Sequence, residues 1–136
     1  MKILKLEVGK IAYVKDIDEK DSLSAMQSEV NGLIAPIFLD DGAVMVVNDE
    51  CLINGSELNR AVKDEDGKIV AVAAGDCFIC GDNGEDFISL TEEQIVKYME
   101  QFKYPEIFVK MNGAIMSFPD KPIEQSFDLA DEILDF

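Results

Sequence analysis

The chain has 136 residues, 48% of them apolar, and its 28 acidic residues outnumber its 12 basic residues to give a net charge of −16. The length suits one domain and the apolar fraction excludes a disordered chain, while the acidity excludes nucleic-acid backbones and anionic lipid as direct partners. Histidine is absent, which removes the commonest acid–base and metal-binding side chain.

Three further features predict a cytoplasmic protein. No stretch approaches the roughly 18 uninterrupted apolar residues of a membrane-spanning helix. Residues 1–5 alternate charged and apolar side chains, whereas a signal peptide needs an apolar block and a small-residue cleavage site. The three cysteines are an odd number, which fits a reducing compartment better than a disulfide framework.

The first part of the chain predicts two strands within residues 1–18, then a helix and a hairpin. Gly9 breaks the two strands, and Ser22 is the expected N-terminal cap of the helix. Asn31 and Gly32 tolerate the left-handed conformation that ends many helices. Pro36 cannot donate a hydrogen bond to a neighbouring strand, so we expect its strand, at 33–39, to lie at an edge and to pair with a strand at 43–47.

The second part predicts shorter strands around a second helix. Thr91 and Gln94 form a capping box, and an apolar stripe of Ile95, Tyr98 and Phe102 follows on one helical face. The other predicted elements are turns over 48–66 with one helical turn at 56–60, strands at 69–74 and 76–79, a turn at 80–84, a strand at 87–90, and a hairpin of 107–110 with 114–118.

These elements predict an α+β fold with a mostly antiparallel sheet and two helices. Their order also resembles that of a ubiquitin-like β-grasp, although other α+β folds share it. We expect one domain over residues 1–119 and an acidic tail over 120–136, in which Phe127, Ala130, Ile133 and Leu134 have helical spacing. The charge is uneven, with a net −6 in residues 1–68 and −10 in residues 69–136.

The strongest motif for metal or redox chemistry is C-x-x-C at Cys77 and Cys80. Zinc needs about four ligands, but Cys51 is the one remaining cysteine and there is no histidine. In an extended strand the two thiols also point to opposite faces. Acidic turns at 64–67 and 82–86 lack the spacing of a calcium loop. We therefore expect buried structural cysteines, no metal site and no cofactor.

No arrangement in the sequence indicates catalysis. There is no glycine-rich phosphate loop and no G-x-S-x-G turn around a nucleophilic serine. Carboxylates are plentiful, but a catalytic pair needs one acid in a cleft that raises its pKa, and the visible clusters lie in predicted turns. We expect that the protein is not an enzyme.

Four short motifs occur in a recognisable order: QSEVNGLI at 27–34, VNDE at 47–50, LNRA at 58–61, and AGD with CG at 74–76 and 80–81. Together they resemble a family of unknown function that is common in bacteriophages and conjugative elements. The resemblance covers about residues 1–90, and Asn31 stands where that family often has glycine. It implies a genomic context and a fold, and it brings no established activity.

The motif residues have two open interpretations. They are structural if their amides close turns and helix ends. They are functional if Gln27, Asn48, Glu50, Asn59 and Arg60 line one polar surface that contacts a partner. In the tail, Asp128, Asp131 and Glu132 alternate with apolar residues in a pattern that suits docking into a groove.

The expected function is binding of a host or element protein by a non-catalytic accessory protein of a mobile element. One alternative is an acidic DNA mimic that inhibits a basic, DNA-binding protein, which predicts a stripe of carboxylates on one face. A second is a neutral module in which charge serves solubility alone. The third is a small-molecule-binding domain or enzyme.

Overall fold

A computed structural model describes residues 1–121, which form ten β-strands and two α-helices. The strands are β1 (Lys2–Leu6), β2 (Tyr13–Asp16), β3 (Ile34–Phe38), β4 (Ala43–Asn48), β5 (Leu58–Lys63), β6 (Ile69–Ala74), β7 (Cys77–Asp82), β8 (Phe87–Ile88), β9 (Glu106–Met111) and β10 (Ala114–Pro119). The helices are α1 (Ser22–Val30) and α2 (Glu92–Phe102). The predicted α+β class is confirmed.

The main sheet has the strand order β2-β1-β7-β4-β3, with β8 paired to the end of β7. The strands β5–β6 and β9–β10 form two separate hairpins. Every pair among residues 1–121 is antiparallel, including the central pairs β1–β7 and β4–β7. A β-grasp sheet has a parallel pair at its centre, so the β-grasp topology is not confirmed.

The main sheet is covered on both faces, because alternate side chains of its central strands point in opposite directions. One face carries Leu4, Met45 and Ile79 and packs against α2 and the β5–β6 hairpin. The other face carries Val44 and Phe78 and packs against α1. Each fully buried side chain of this size contributes about 1.5–3 kcal/mol to stability. The helices therefore belong to two separate hydrophobic layers.

Helix α1 begins one residue earlier than the sequence indicates. Its N-terminal cap is Asp21, whose carboxylate accepts a hydrogen bond from the Ser24 amide at 3.4 Å, while Ser22 is the first helical residue. The predicted C-terminal cap is confirmed, since Asn31 has a φ of 59° and the Gly32 amide donates to the Gln27 carbonyl. The capping box of Thr91 on α2 is also present.

Two local predictions are wrong. Residues 56–60 form no helical turn, and the predicted turn region 48–66 contains a strand, because Leu58–Lys63 is β5 and pairs with β6. Residues 80–82 are strand and not turn, since Gly81 pairs with both Ala43 and Ile88. In both places pairing with a distant strand overrides the local turn preference.

Several other predictions agree with the structure. The strand that contains Pro36 lies at the edge of the main sheet, and Asn112 and Gly113 join β9 to β10 with positive φ angles. The predicted tail helix, from Phe127 to Leu134, lies outside the described residues. In the described part of the chain, neither helix has the length and apolarity needed to cross a membrane.

An ion-pair cluster fastens α1 to the sheet. The Glu29 carboxylate lies 2.8 Å from Lys5 Nζ and 2.5 Å from Lys15 Nζ, and its side chain is only 10% exposed. Burial raises the pKa of Glu29, but the hydrogen bonds from Lys15 and Lys5 outweigh it, so the pKa is lowered in the folded protein. Glu29 therefore stabilises the fold as a carboxylate.

We expect this stabilisation to disappear in acid. Because the folded pKa of Glu29 lies below the unfolded value, its contribution is complete above the ordinary pKa of 4.5 and is lost as the pH falls through the folded pKa. Urea unfolding of Glu29→Gln should give a lower free energy than the wild type at neutral pH, with the gap closing in acid. The exposed Glu85→Gln is the control, and a gap that persists in acid would contradict the assignment.

Candidate functional site

A trough, mostly apolar at one end and of mixed polarity at the other, runs beside β3 and β6. It consists of two adjoining depressions of about 460 and 440 Å³. The lining continues from Ile37 to Phe38 along β3 and from Ala71 to Val70 along β6, so the depressions follow one another along both strands. The first depression ends at the turn formed by residues 49–55, and the second ends at α2.

The trough gathers the most exposed apolar side chains of the described residues. The exposed fractions are 86% for Ile53, 70% for Leu52, 68% for Phe38 and 61% for Val70. These are four of the six most exposed large hydrophobic residues within 1–121. Single exposed hydrophobics are ordinary on protein surfaces, but a group along one groove is typical of an interaction site.

The turn at 49–55 presents two of these side chains because it is anchored at its start by Asn48 and below by Cys51. The Asn48 amide donates to the Val30 and Asn31 carbonyls at the end of α1, at 3.0 and 3.2 Å, and its oxygen accepts from the Glu50 amide. Cys51 is buried against the core below the turn. The anchored turn leaves Leu52 and Ile53 pointing away from the core.

Strand β3 exposes an edge that is poorly suited to pairing with another strand. Leu39 donates its amide to Ala43, and Leu33 accepts at its carbonyl from Asp49, so the odd-numbered residues of this segment pair with β4. The even-numbered residues then point their backbone groups outward. Pro36 is the middle one of these and has no N–H to offer. Proline at an edge is a common protection against strand addition.

The border of the trough is acidic. Among the described residues, this border contains four acids and two lysines: Asp40, Asp49, Asp64, Glu65, Lys63 and Lys97. Both lysines already have partners. The Lys63 ammonium donates to the Ser117 carbonyl at 3.1 Å, and the Lys97 ammonium pairs with Asp41.

The predicted polar surface is divided by the fold. Asn48 lines the trough, Glu50 lies in the exposed turn beside it, and Gln27 is half-buried on α1. Asn59 and Arg60 are 1% and 0% exposed, so they do not share a surface with the other three. The tail residues Asp128, Asp131 and Glu132 lie outside the described residues.

Asn59 and Arg60 form a buried polar centre on the α2 side of the main sheet. The Asn59 amide donates to the Leu6 and Gly75 carbonyls at 2.8 and 2.9 Å, and its oxygen accepts from Arg60 Nη1 at 2.6 Å. Arg60 Nε donates to the Phe102 carbonyl at 3.0 Å, and Nη2 donates to the Lys10 carbonyl at 2.8 Å. Burial lowers the pKa of Arg60, and an arginine remains protonated in this environment.

The C-x-x-C motif does not form a site. Cys77 lies in the layer of α2 and Cys80 in the layer of α1, as alternation along a strand predicts. Burial raises the pKa of each thiol to about 12, which leaves both unreactive at neutral pH. Within residues 1–121, no group of three or more Cys, Asp or Glu side chains is placed to hold a metal ion.

Residues 1–103 match the model of a protein family described as a domain of unknown function, DUF3846. The chain belongs to this family. No curated protein and no solved structure matches it. The DUF3846 domain extends from the N-terminus to just beyond α2, so it contains every residue that lines the trough. The β9–β10 hairpin lies beyond the DUF3846 domain.

Sequence reasoning missed the trough, although one signal for it is present. Leu52 and Ile53 are adjacent apolar residues inside a polar, turn-rich stretch, where neither side chain has a helix face or strand face to join. Phe38 and Val70 gave no such signal, because each belongs to a strand with ordinary apolar content. Their exposure depends on which strand edges remain uncovered.

Arg60 should be one of the most sensitive positions for stability in the DUF3846 domain. Arg60→Met keeps much of the side-chain volume but leaves the Phe102 and Lys10 carbonyls and the Asn59 oxygen without their donor. We expect the free energy of unfolding in urea to fall by roughly 3–5 kcal/mol. Lys68→Met, an exposed base in the same hairpin, should change it by less than about 0.5 kcal/mol. Equal losses in the two variants would contradict the role of Arg60.

Proposed function

We propose that this chain is a non-catalytic accessory protein of a mobile genetic element and that it binds a host or element protein through the trough. The observation that carries the proposal is the gathering of Phe38, Leu52, Ile53 and Val70 along one groove inside the DUF3846 domain. The resemblance of the motifs at 27–34, 47–50 and 58–61 to phage and conjugative-element proteins supports the genomic context.

The partner segment should be apolar at its centre and basic at its borders. The apolar residues match the floor and rim of the trough, which removes their surface from water. The carboxylates of Asp40, Asp49, Asp64 and Glu65 would attract lysine or arginine on either side. Because Lys63 and Lys97 are already paired, they offset this attraction only in part.

The partner should bind by its side chains and not by adding a strand to β3. Pro36 removes the central outward donor of that edge, so an added strand would lose one of its ladder hydrogen bonds. The deeper parts of the trough, beside Ile37 and Ala71, offer apolar positions for side chains instead.

A phage-displayed library of random peptides tests this site without a known partner. We expect the selected peptides to combine large apolar residues with lysine or arginine. The double variant Leu52→Ser, Ile53→Ser should weaken their binding by about tenfold or more, measured by calorimetry. Its stability should change little because both side chains are exposed.

Val96→Ser is the matched control. Val96 is 68% exposed but lies on α2 outside both depressions. Binding that is unaffected by the trough variant, or equally reduced by the control, would place the peptide site elsewhere. Failure to select any peptide that depends on the trough would count against the proposal.

A second candidate function is favoured by the placement of acidic residues. The topology brings the β2–α1 connection, the β3–β4 turn, the β7–β8 turn and the start of α2 to the same end of the main sheet. We call this the acidic end. Its eleven acids are Asp16, Asp18, Glu19, Asp21, Asp40, Asp41, Asp82, Glu85, Asp86, Glu92 and Glu93. Such a surface suits a basic, DNA-binding partner, as in the DNA-mimic hypothesis.

Capture from a bacterial lysate with a matched variant pair tests the acidic end. If the acidic end is functional, captured proteins should bind DNA and should be displaced by added duplex or by salt. They should also be lost with the triple variant Asp82→Asn, Glu85→Gln, Asp86→Asn. The triple variant Glu57→Gln, Glu100→Gln, Asp120→Asn changes the net charge equally at exposed acids outside the trough and the acidic end. An equal loss of captured proteins with both variants would show that capture depends on net charge alone. The acidic end would then be rejected as a binding site.

A further inference from the structure

The β9–β10 hairpin has an open apolar face. Ile107, Val109 and Met111 of β9 and Met116 and Phe118 of β10 point to the same side, since Ile107 pairs with Phe118 and Val109 with Met116. Each of the five side chains is between 38% and 53% exposed. We call this group the outer face. Lys63 and residues 67–69 of the β5–β6 hairpin border it beside Met116 and Phe118, and they leave its side chains partly exposed.

The opposite face of the hairpin is in use. Ser117 is buried there beside the half-buried Phe108, and the Ser117 carbonyl accepts a hydrogen bond from Lys63 of β5. The hairpin therefore packs on the rest of the protein through one side only. A two-stranded hairpin is marginally stable by itself, and covering its second face would add to its stability.

The segment that follows the hairpin has a matching pattern. Residues 122–136 begin three positions after the end of β10. Ile123, Phe127, Ala130 and Leu134 follow the spacing i, i+4, i+7 and i+11 of one helical face. The five acids of the segment fall together on an adjoining side of the same helical projection: Glu124, Asp128, Asp131, Glu132 and Asp135.

The dimensions also agree. Fifteen residues in a helix would be about 22 Å long, and a six-residue strand of the hairpin is about 20 Å long. A short connection after Pro119 is enough to bring the start of the segment to the outer face. We propose that residues 122–136 dock on the outer face through Ile123, Phe127, Ala130 and Leu134, with their acids directed to solvent.

A second copy of the chain is a less suitable occupant. The five side chains expose on the order of 450 Å², if a large side chain presents roughly 200 Å² when fully exposed. A stable dimer buries about 800 Å² on each partner. Two chains that each carry a net charge of −16 would also repel one another.

A spin label on the full-length chain tests the docking. The three native cysteines are buried, so an introduced Asp128→Cys would react selectively with a nitroxide reagent. We expect the amide signals of Val109 and Met116 to be broadened, while those of Leu52 and Ile53 in the trough stay sharp. The same label at Asp18→Cys, at the acidic end, is the control. Sharp hairpin signals, or broadening in the trough instead, would overturn the proposal.

Amide hydrogen exchange supplies an independent readout. Phe127→Ser with Leu134→Ser should accelerate exchange in β9 and β10 by about tenfold, because uncovering the face favours local opening. Asp128→Ser with Asp135→Ser, on the acidic side, should leave these rates unchanged. Equal acceleration by both variants would reject docking through the apolar positions. The spin-label experiment can also be run on a mixture of spin-labelled chains and separate isotope-labelled chains. If the hairpin signals are broadened only in this mixture, the outer face binds a second copy.

Discussion

The position of α2 and the β5–β6 hairpin over the main sheet depends on the buried guanidinium of Arg60. Arg60 belongs to β5, and its donors hold the last carbonyl of α2 and the Lys10 carbonyl beside β2. Asn59 extends the same network to the ends of β1 and β6 through Leu6 and Gly75. These contacts set the position of the β5–β6 hairpin over the main sheet.

The trough is the surface beside β3 that α2 and the β5–β6 hairpin leave uncovered. Helix α2 and the β5–β6 hairpin cover the central strands β1, β7 and β4, but they leave the flank of β3 open. Pro36 protects the backbone of that edge without removing its apolar side chains. An edge of this kind resists pairing with another strand and can still accept side chains, which separates specific binding from aggregation.

The net charge has a spatial organisation that composition does not reveal. Much of the acidity of the described residues lies at one end of the main sheet, where two turns, the β2–α1 connection and the start of α2 come together. A further group of acids occurs in residues 122–136, which contain no base. The hydrophobic surfaces run along β3 and β6 and over the β9–β10 hairpin, and the trough meets the acidic end at Asp40. Apolar and electrostatic contacts are thus available side by side at the trough.

Local chemistry accounts for the parts of the fold that the sequence predicted. The capping box at Thr91, the left-handed Asn31, the Asn112-Gly113 turn and the edge position of Pro36 each depend on a few neighbouring residues. The errors occur where distant segments pair. Leu58 becomes strand because it pairs with Ala74, and Cys80 continues β7 because β4 and β8 flank it.

The sequence by itself therefore determined the class of the fold, most of its helices and turns, its family and the opposed orientation of Cys77 and Cys80. Only the tertiary structure decided which polar residues were buried and which apolar residues were exposed. Arg60 is charged, yet it lies in the core because its donors bond to the neighbouring Asn59 oxygen and to the Phe102 and Lys10 carbonyls from two other segments. Ile53 is apolar, yet it is exposed because the core contact of its turn is made by Cys51. Burial depends on what surrounds a residue in space, and the residues next to it in the sequence do not reveal this.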